Sequence, residues 1–463
     1  MAVRDIFSFI PEVTKPEEKK LSFNVKLKWT LIVLAAFFIL ANISLYGLAS
    51  NTLERFKYLA IIMGTDFGSI ISLGIGPIVM ASIILQLLTG AEIIKIDTST
   101  VEGKKFFQGL QKLLVFFFII FEALVYVLMN GLQAMPGYTG IVVIQLILGG
   151  LAIYYMNELC EKWGFGSGVS LFIAAGVSWR LFTAAFQFVD VQGKSCLVDF
   201  ANTPCSGKIL VLLQSIISRY PIEFVSALAA LVVTVLIFLA VVWAQSLKVE
   251  IPLSYGRVRG YGVKWPLSFF YASVIPVILS AALIANLQLF GGLLENWLGH
   301  PTWLGHFVNG QAISGLAFWF GSTNILELAI RGGLLPIYLL QGLTHIITFM
   351  VFSTIFSIFW VKSSAMDAKS QAKKIASSGL QVAGFRQDIR ILESILDRYI
   401  MPLTVMGGAA IGLLASFTNL LGAIVSGTAI LLVIMIMFQF YQSIAQQHMT
   451  DMNPAMRKFM GSA

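Results

Sequence analysis

Apolar runs of about twenty residues, separated by polar stretches, recur along the whole chain. A helix rises about 1.5 Å per residue, so such a run matches the ~30 Å hydrocarbon core of a bilayer. The pattern predicts ten membrane-spanning helices. Eight lie at residues 29–48, 70–88, 113–132, 141–156, 169–188, 224–247, within 265–294 and within 332–361. Two more share residues 400–448, which hold no formal charge and break around 416–427. Residues 1–28 are polar and show no short apolar core with a small-residue cleavage site, so no removable signal peptide is expected. Segments 8–12 and 21–28 have the amphipathic character of pieces lying on a membrane surface.

The second span does not stand alone. Leu59, Ala60, Ile61, Ile62 and Met63 form an apolar piece too short to cross, and Gly64, Thr65, Asp66, Gly68 and Ser69 separate it from the long run. Residues 51–90 therefore predict a half-helix followed by a whole one. Backbone that is not helical at membrane depth is tolerated only where protein buries it or where it lines a water-filled cavity. That points to a pathway through the protein, although a short helix lying on the outer leaflet would leave the same pattern.

Composition fixes the class. Of 463 residues, 57% are hydrophobic and only 12% charged, about half the roughly 25% of a soluble domain. The chain reads as an all-α polytopic membrane protein. Its net charge of +8 would suggest nucleic acid in a soluble protein, but here the placement of the charges carries more information. With ten spans, the loops sharing a side with the termini are 1–28, 89–112, 157–167, 246–266, 361–400 and 445–463. They hold 24 of the 31 lysines and arginines. Both termini are therefore expected to be cytoplasmic, with the half-helix on the opposite side. Ten spans divide into halves at 29–220 and 221–445, flanked by an N-terminal segment 1–28 and a tail 446–463. "GPIVMASIILQLL" in the second span resembles "IPVILSAALIANLQL" in the seventh. Five spans per half would place two such repeats upside down relative to each other.

Candidate chemistry is sparse. There is no H-E-x-x-H, P-loop or G-x-S-x-G motif, and His300, His306, His345 and His448 are too scattered for metal-ligand spacing. Neither an enzyme nor a cofactor is expected. The ionisable residues within spans are Glu122, Arg180 and His345. A carboxylate such as Glu122 usually faces a bundle interior or cavity, with a helix–helix hydrogen bond as the plain alternative. So few charges favour a pore with a mostly neutral lining. A secondary transporter with inverted repeats and a midplane solute site is the rival, and an insertase without a through-pore is another. Ile75 and Val79 lie four apart, as do Val169 and Ile173, so each pair shares a helical face. Such stripes serve ordinary packing or a constriction that excludes ions by dewetting. Cys196 and Cys205 in an outer loop would form a disulfide in an oxidising compartment, or serve as small apolar residues.

The segments "IPEV", "KLKWT", "LGIGPIV", "FQGLQKLL", "GFGSGVSLFIAAGVS", "VEIPLSYGRVRG", "SVIPVILSAALIANLQL", "AGFR" and "YIMPLTVMGG" resemble the SecY family, the channel-forming alpha subunit of the Sec protein translocon, in its archaeal form. They run from residue 10 to beyond 428. The resemblance implies ten transmembrane helices in two inverted five-helix halves around a central pore. It also implies an aliphatic ring at the waist, a plug helix, and a lateral gate between spans two and three and spans seven and eight. Carried onto matching positions, the ring would be Ile75, Val79, Val169, Ile173, Ile278 and Leu432, and the plug about 53–67. Polar gate contacts would involve Glu122 and Asn286, with Met80 where archaeal relatives often have a hydroxyl. Arg257, Arg259 and Arg386 in the cytoplasmic loops 246–266 and 361–400 would contact the ribosome, although positive-inside bias alone also places arginines there. Implied partners are small SecE/gamma-type and beta-type subunits, the ribosome, signal sequences and nascent chains, and the lipid bilayer, with no small-molecule substrate. The implied location is the plasma membrane.

Overall fold

In the computed structural model, the described residues are 11–17, 21–51, 66–90, 93–94, 96, 100–189, 195–196, 200, 205–255, 262–272, 274–308, 310–377, 380–382 and 388–452. The N-terminal half contains α1 (Phe23–Ala41), β1 (Leu48–Asn51), α2 (Gly76–Gly90), α3 (Val101–Leu128), β2 (Leu132–Ala134), α4 (Thr139–Trp163), α5 (Gly168–Phe186) and α6 (Lys208–Ser218). The C-terminal half follows with α7 (Pro221–Ser246), β3 (Lys248–Tyr255), β4 (Gly262–Ser268), α8 (Ile275–Leu298), β5 (His306–Val308), β6 (Gln311–Ser314), α9 (Leu316–Phe320) and α10 (Ile325–Ile330). It ends with α11 (Pro336–Ser363), α12 (Ala368–Ser377), β7 (Leu380–Val382), α13 (Ile389–Leu421) and α14 (Gly427–Met452). Among the described residues nine helices are long and apolar enough to cross a membrane, and the shorter α2 makes a tenth. The fold is all-α and polytopic, as expected. Below, "outer" means the end of the bundle away from the start of α1.

The two halves pack alike. Neighbours in the first are α2 with α3, α3 with α4 and α4 with α5; the matching pairs in the second are α8 with α11, α11 with α13 and α13 with α14. The halves meet where α2 touches α8 and α11, and where α5 touches α14. This repeated order is the structural counterpart of the paired Pro-led sequences in α2 and α8.

Several boundaries differ from the expected spans. The first is shifted from 29–48 to Phe23–Ala41, because Leu45 is buried beside the broken element and β1 pairs antiparallel with β2. The third begins at Val101, well inside the polar loop, capped by the Thr100 hydroxyl, which accepts from Gly103 N–H at 3.0 Å. The last extends to Met452, into the segment read as a tail. Loop 246–266 is largely an antiparallel hairpin of β3 and β4, to which β7 adds a third strand. Cys196 and Cys205 are joined as a disulfide.

The main correction concerns the second span, expected as a 19-residue helix at 70–88. Residues 67–75 turn instead, and α2 has 15 residues, about 22 Å of helix. Gly68 and Gly74 take positive φ, 97° and 53°, which only glycine adopts freely. Serines then satisfy the turn's polar backbone from within. Ser69 Oγ donates to Asp66 O at 2.6 Å, Ser72 Oγ to Ser69 O at 2.5 Å, and Gly68 N–H to Ser72 Oγ at 2.8 Å. The turn can therefore sit buried, with Ile71, Ser72 and Leu73 fully inaccessible.

Gly149 of α4 permits its close approach. A Cβ built there would lie 1.9 Å from Ile70 O. Gly149→Ala is expected to displace the turn and destabilise the protein by about 1–3 kcal/mol, as overpacking does. Thermal unfolding in detergent checks this; an unchanged midpoint would mean that the turn yields freely.

Candidate functional site

All six candidate ring residues belong to, or pack against, one buried apolar cluster. Ile75 immediately precedes α2, and Val79 N–H donates to its carbonyl at 3.0 Å, so the two share a face as their spacing predicted. Val169 and Ile173 sit on the first two turns of α5, whose start is held by Asn157 Oδ1 accepting from Val169 N–H at 2.9 Å. Ile278 lies in the first turn of α8 and Leu432 in the second of α14. Val169 is half-buried; the other five are buried.

Outward from these residues opens a cavity of about 1010 Å³ whose walls mix polar side chains, among them Arg180, Gln288, Asn324, His345 and Asn419, with apolar ones such as Ile284, Phe349 and Val425. Its lining reaches Ala281 on α8 and Thr428 on α14, one turn short of Ile278 and Leu432. On α5 it reaches Arg180, two turns outward of Ile173. The cavity therefore ends at a similar distance from the aliphatic side chains on three helices. Sequence reading found the aliphatic positions but not the cavity, whose walls include the outer segment from α9 to α10.

The half-helix residues Leu59, Ala60, Ile61, Ile62 and Met63 lie outside the described residues. Where the chain resumes, Asp66 pairs with Arg180 of α5. These two residues, singled out separately in the sequence, anchor the base of the expected plug to the cavity wall.

The expected gate helices α2, α3, α8 and α11 pack with α2 against the other α2-side helix, α3, and against both α8 and α11. Glu122 is fully buried on α3, and Asn286 is buried on α8, where its Nδ2 donates to Ala282 O of its own helix at 2.9 Å. The two are not joined by a hydrogen bond. Both Glu122 oxygens, Asn286 Oδ1, Tyr126 Oη, Gln86 Oε1 and Ser353 Oγ find no partner among the described residues, and together they occupy all four gate helices. Met80 is half-buried on α2. A bridge the sequence did not suggest closes the outer end. Asn296 Nδ2 of α8 reaches Met129 O and Asn130 O, just past α3, at 3.3 and 3.2 Å.

The family model for SecY matches residues 69–441, a span that holds all six candidate ring residues. The chain belongs to the SecY family. It is 39% identical over 461 residues to the protein translocase subunit SecY of Methanothermobacter thermautotrophicus, covering 98% of both chains. To that of Methanococcus vannielii it is 37% identical over 462 residues, covering 100% of both. Among solved structures it is similar to a protein-conducting channel, at 36% identity and TM-score 0.82 over 97% of this chain and 98% of that one. It is also similar to Sec61 of a canine ribosome–channel complex from the endoplasmic reticulum, at 36% identity and TM-score 0.78 over the same shares of the two chains.

Of the candidate ribosome contacts, Arg257, Arg259 and Arg386 all lie outside the described residues. Their loops nonetheless share one scaffold in this SecY-family chain. Residues 256–261 join β3 to β4, and residues 383–387 follow β7, which pairs with β3 from Leu253↔Val382 to Tyr255↔Leu380.

A feature near the N-terminus was missed because its residues carry no motif. Glu12 pairs with Lys112 of α3 and Lys162 of α4, Val13 N–H donates to Glu158 Oε2 at 3.3 Å, and Lys162 Nζ donates to Val13 O at 2.6 Å. The N-terminal segment thereby straps a gate helix to its neighbour. The Lys112 ammonium beside Glu12 holds its carboxyl below the usual range. A carboxylate lowered in this way adds stability at neutral pH and loses it as pH falls through the lowered value. Because Glu12 is half-exposed, the gain is small. The protection factors of the amides at residues 12–15, taken against intrinsic exchange at each pH, should be high at neutral pH and fall on acidification through the carboxylate range, and Glu12→Gln should flatten that dependence. An unchanged pH profile in Glu12→Gln would assign the strap to its other bonds.

Proposed function

We propose that this chain is the channel-forming subunit of a protein translocase, passing unfolded polypeptides along its axis and releasing apolar helices sideways into lipid. The observation that carries the proposal is a wide outer cavity that ends, on α5, α8 and α14, at a level of buried aliphatic side chains. Ile75, Val79, Val169, Ile173, Ile278 and Leu432 form the waist. Aliphatic side chains offer an ion no hydrogen bonds, so a narrow ring of them excludes ions by dewetting. They also lack directional bonds to break, so they can part for a polypeptide and close again.

The plug, about residues 53–67, rests on the outer side of this waist, tethered through Asp66 and Arg180. The lateral gate opens between α2 with α3 and α8 with α11. A signal segment of about twenty apolar residues leaves water favourably, at roughly 25 cal/mol per Å² buried, and the gate gives it a route into lipid. Glu122 of α3 and Asn286 of α8 share no hydrogen bond, so no bond between them opposes the parting of the gate.

The chain sits in the plasma membrane with both termini in the cytoplasm. Small SecE/gamma-type and beta-type subunits assemble with it against apolar outer faces such as the exposed Val232, Val235, Leu239 and Trp243 of α7. The ribosome docks on the basic loops carried by the β4–β3–β7 sheet, through Arg257, Arg259 and Arg386. The resemblance to Sec61 from a ribosome–channel complex supports that docking.

Replacing Ile75, Val79 and Ile278 together with glycine should raise the ion conductance of resting channels in planar bilayers several-fold. Conductance at the wild-type level would remove these residues from the waist. Arg386→Glu should weaken ribosome binding by about tenfold, the equivalent of about 1.4 kcal/mol, in a sedimentation assay; undiminished binding would leave that arginine only a role in topology.

A further inference from the structure

Three polar side chains on one face of α11 take up the last three carbonyls of α9. Gln341 Nε2 donates to Phe318 O at 2.8 Å, Thr344 Oγ1 to Trp319 O at 3.0 Å, and His345 Nδ1 to Phe320 O at 2.8 Å. End-capping of α9 accounts for Gln341 and Thr344. It leaves half of the His345 ring unexplained.

A carbonyl only accepts, so Nδ1 carries the proton of the neutral imidazole and Nε2 is left as an acceptor. Asn419 of α13 faces it, with Nδ2 at 3.3 Å. Asn419 Oδ1 in turn accepts from Thr428 N–H at 2.8 Å. Thr428 is the second residue of α14, and its N–H is one of the four that a helix start leaves without an internal partner. Each link has one donor and one acceptor, so His345 Nε2, acting on Nδ2, and Thr428 N–H, acting on Oδ1, hold the asparagine amide in one and the same orientation. With that amide reversed, two donors would oppose each other at Thr428.

Leu432 lies one turn farther along α14 and is fully buried. The junction that carries it has little slack. A Cβ at Gly427 would lie 2.1 Å from Thr418 O, and one at Gly422 would lie 2.0 Å from Asn324 Nδ2.

We propose that His345 is a positioning residue for the pore waist. Through its Nε2 it orients the Asn419 amide, which holds the start of α14 and so sets the depth at which Leu432 meets the other aliphatic side chains. The inference rests on the reading of Leu432 as part of the waist, and it adds a link from the outer cavity wall to that residue.

The test is resting ion conductance in planar bilayers, measured on the purified full-length protein. His345→Phe keeps the ring and removes both of its polar atoms, and Asn419→Leu breaks the next link. Each should raise conductance several-fold, and the double variant should leak no more than the leakier single one, because both interrupt one chain of bonds. Gln341→Leu removes an α9 cap of the same kind without touching the relay, and should stay at the wild-type level. His345→Gln, which retains a donor and an acceptor, should restore part of the seal and covers the case in which His345→Phe fails to fold.

A wild-type conductance in both His345→Phe and Asn419→Leu overturns the proposal. So does a Gln341→Leu leak equal to that of His345→Phe, or additive leaks in the double variant. Leu432→Gly, measured alongside, separates the two levels. A leak there with silent relay variants overturns the relay alone, whereas a silent Leu432→Gly removes Leu432 from the waist.

Discussion

Inside a bilayer every backbone N–H and C=O needs a partner within the protein, and an unpaired one costs several kcal/mol. That constraint governs the stretch from Asp66 to Ile75, where the chain abandons helix at the centre of the bundle. Two glycines supply the turns, Ser69 and Ser72 supply the missing hydrogen bonds, and Gly149 leaves room for the carbonyl of Ile70. With its polar groups satisfied, the turn can be buried between α2 and α4. It starts α2 at the depth that places Ile75 and Val79 in the apolar cluster. The whole of α2 takes its position from this turn.

The seam between the gate helices follows the opposite rule. Glu122, Tyr126, Asn286, Gln86 and Ser353 are buried with polar atoms that find no partner among the described residues. Well-packed interiors rarely keep such groups, because each costs about 1–3 kcal/mol. These residues are distributed over α2, α3, α8 and α11, the helices expected to form the gate, and Ser353 faces Gly412 of α13. The Asn296 bridge joins α8 to the end of α3, and the Glu12–Lys112 pair joins the N-terminal segment to α3.

Much of this was legible in the sequence. Apolar runs gave the number and order of the spans, since length and hydropathy are local properties. The i, i+4 spacing put Ile75 with Val79 and Val169 with Ile173 on shared helical faces, while the ring that adds Ile278 and Leu432 came only from the family resemblance. Other features depend on residues far apart in the chain. The turn at 67–75 is as apolar as a helix, and only the glycine dihedrals and serine bonds distinguish it. The Asp66–Arg180 pair, the cap on Val169 from Asn157, and the chain from Phe320 through His345 and Asn419 to Thr428 each join elements with no common motif. The strands of the β4–β3–β7 sheet lay in polar loops without a strand-length alternation to mark them.

The central claim is that a polypeptide in transit threads the aliphatic waist. Site-specific crosslinking tests it most directly, with a photoreactive residue placed at 75 or 278 and a secretory chain stalled on a bound ribosome. The account predicts efficient crosslinks from both positions to the stalled chain and none from the same probe at the exposed Leu148 of α4. Crosslinks absent at 75 and 278 while the chain remains engaged would contradict it.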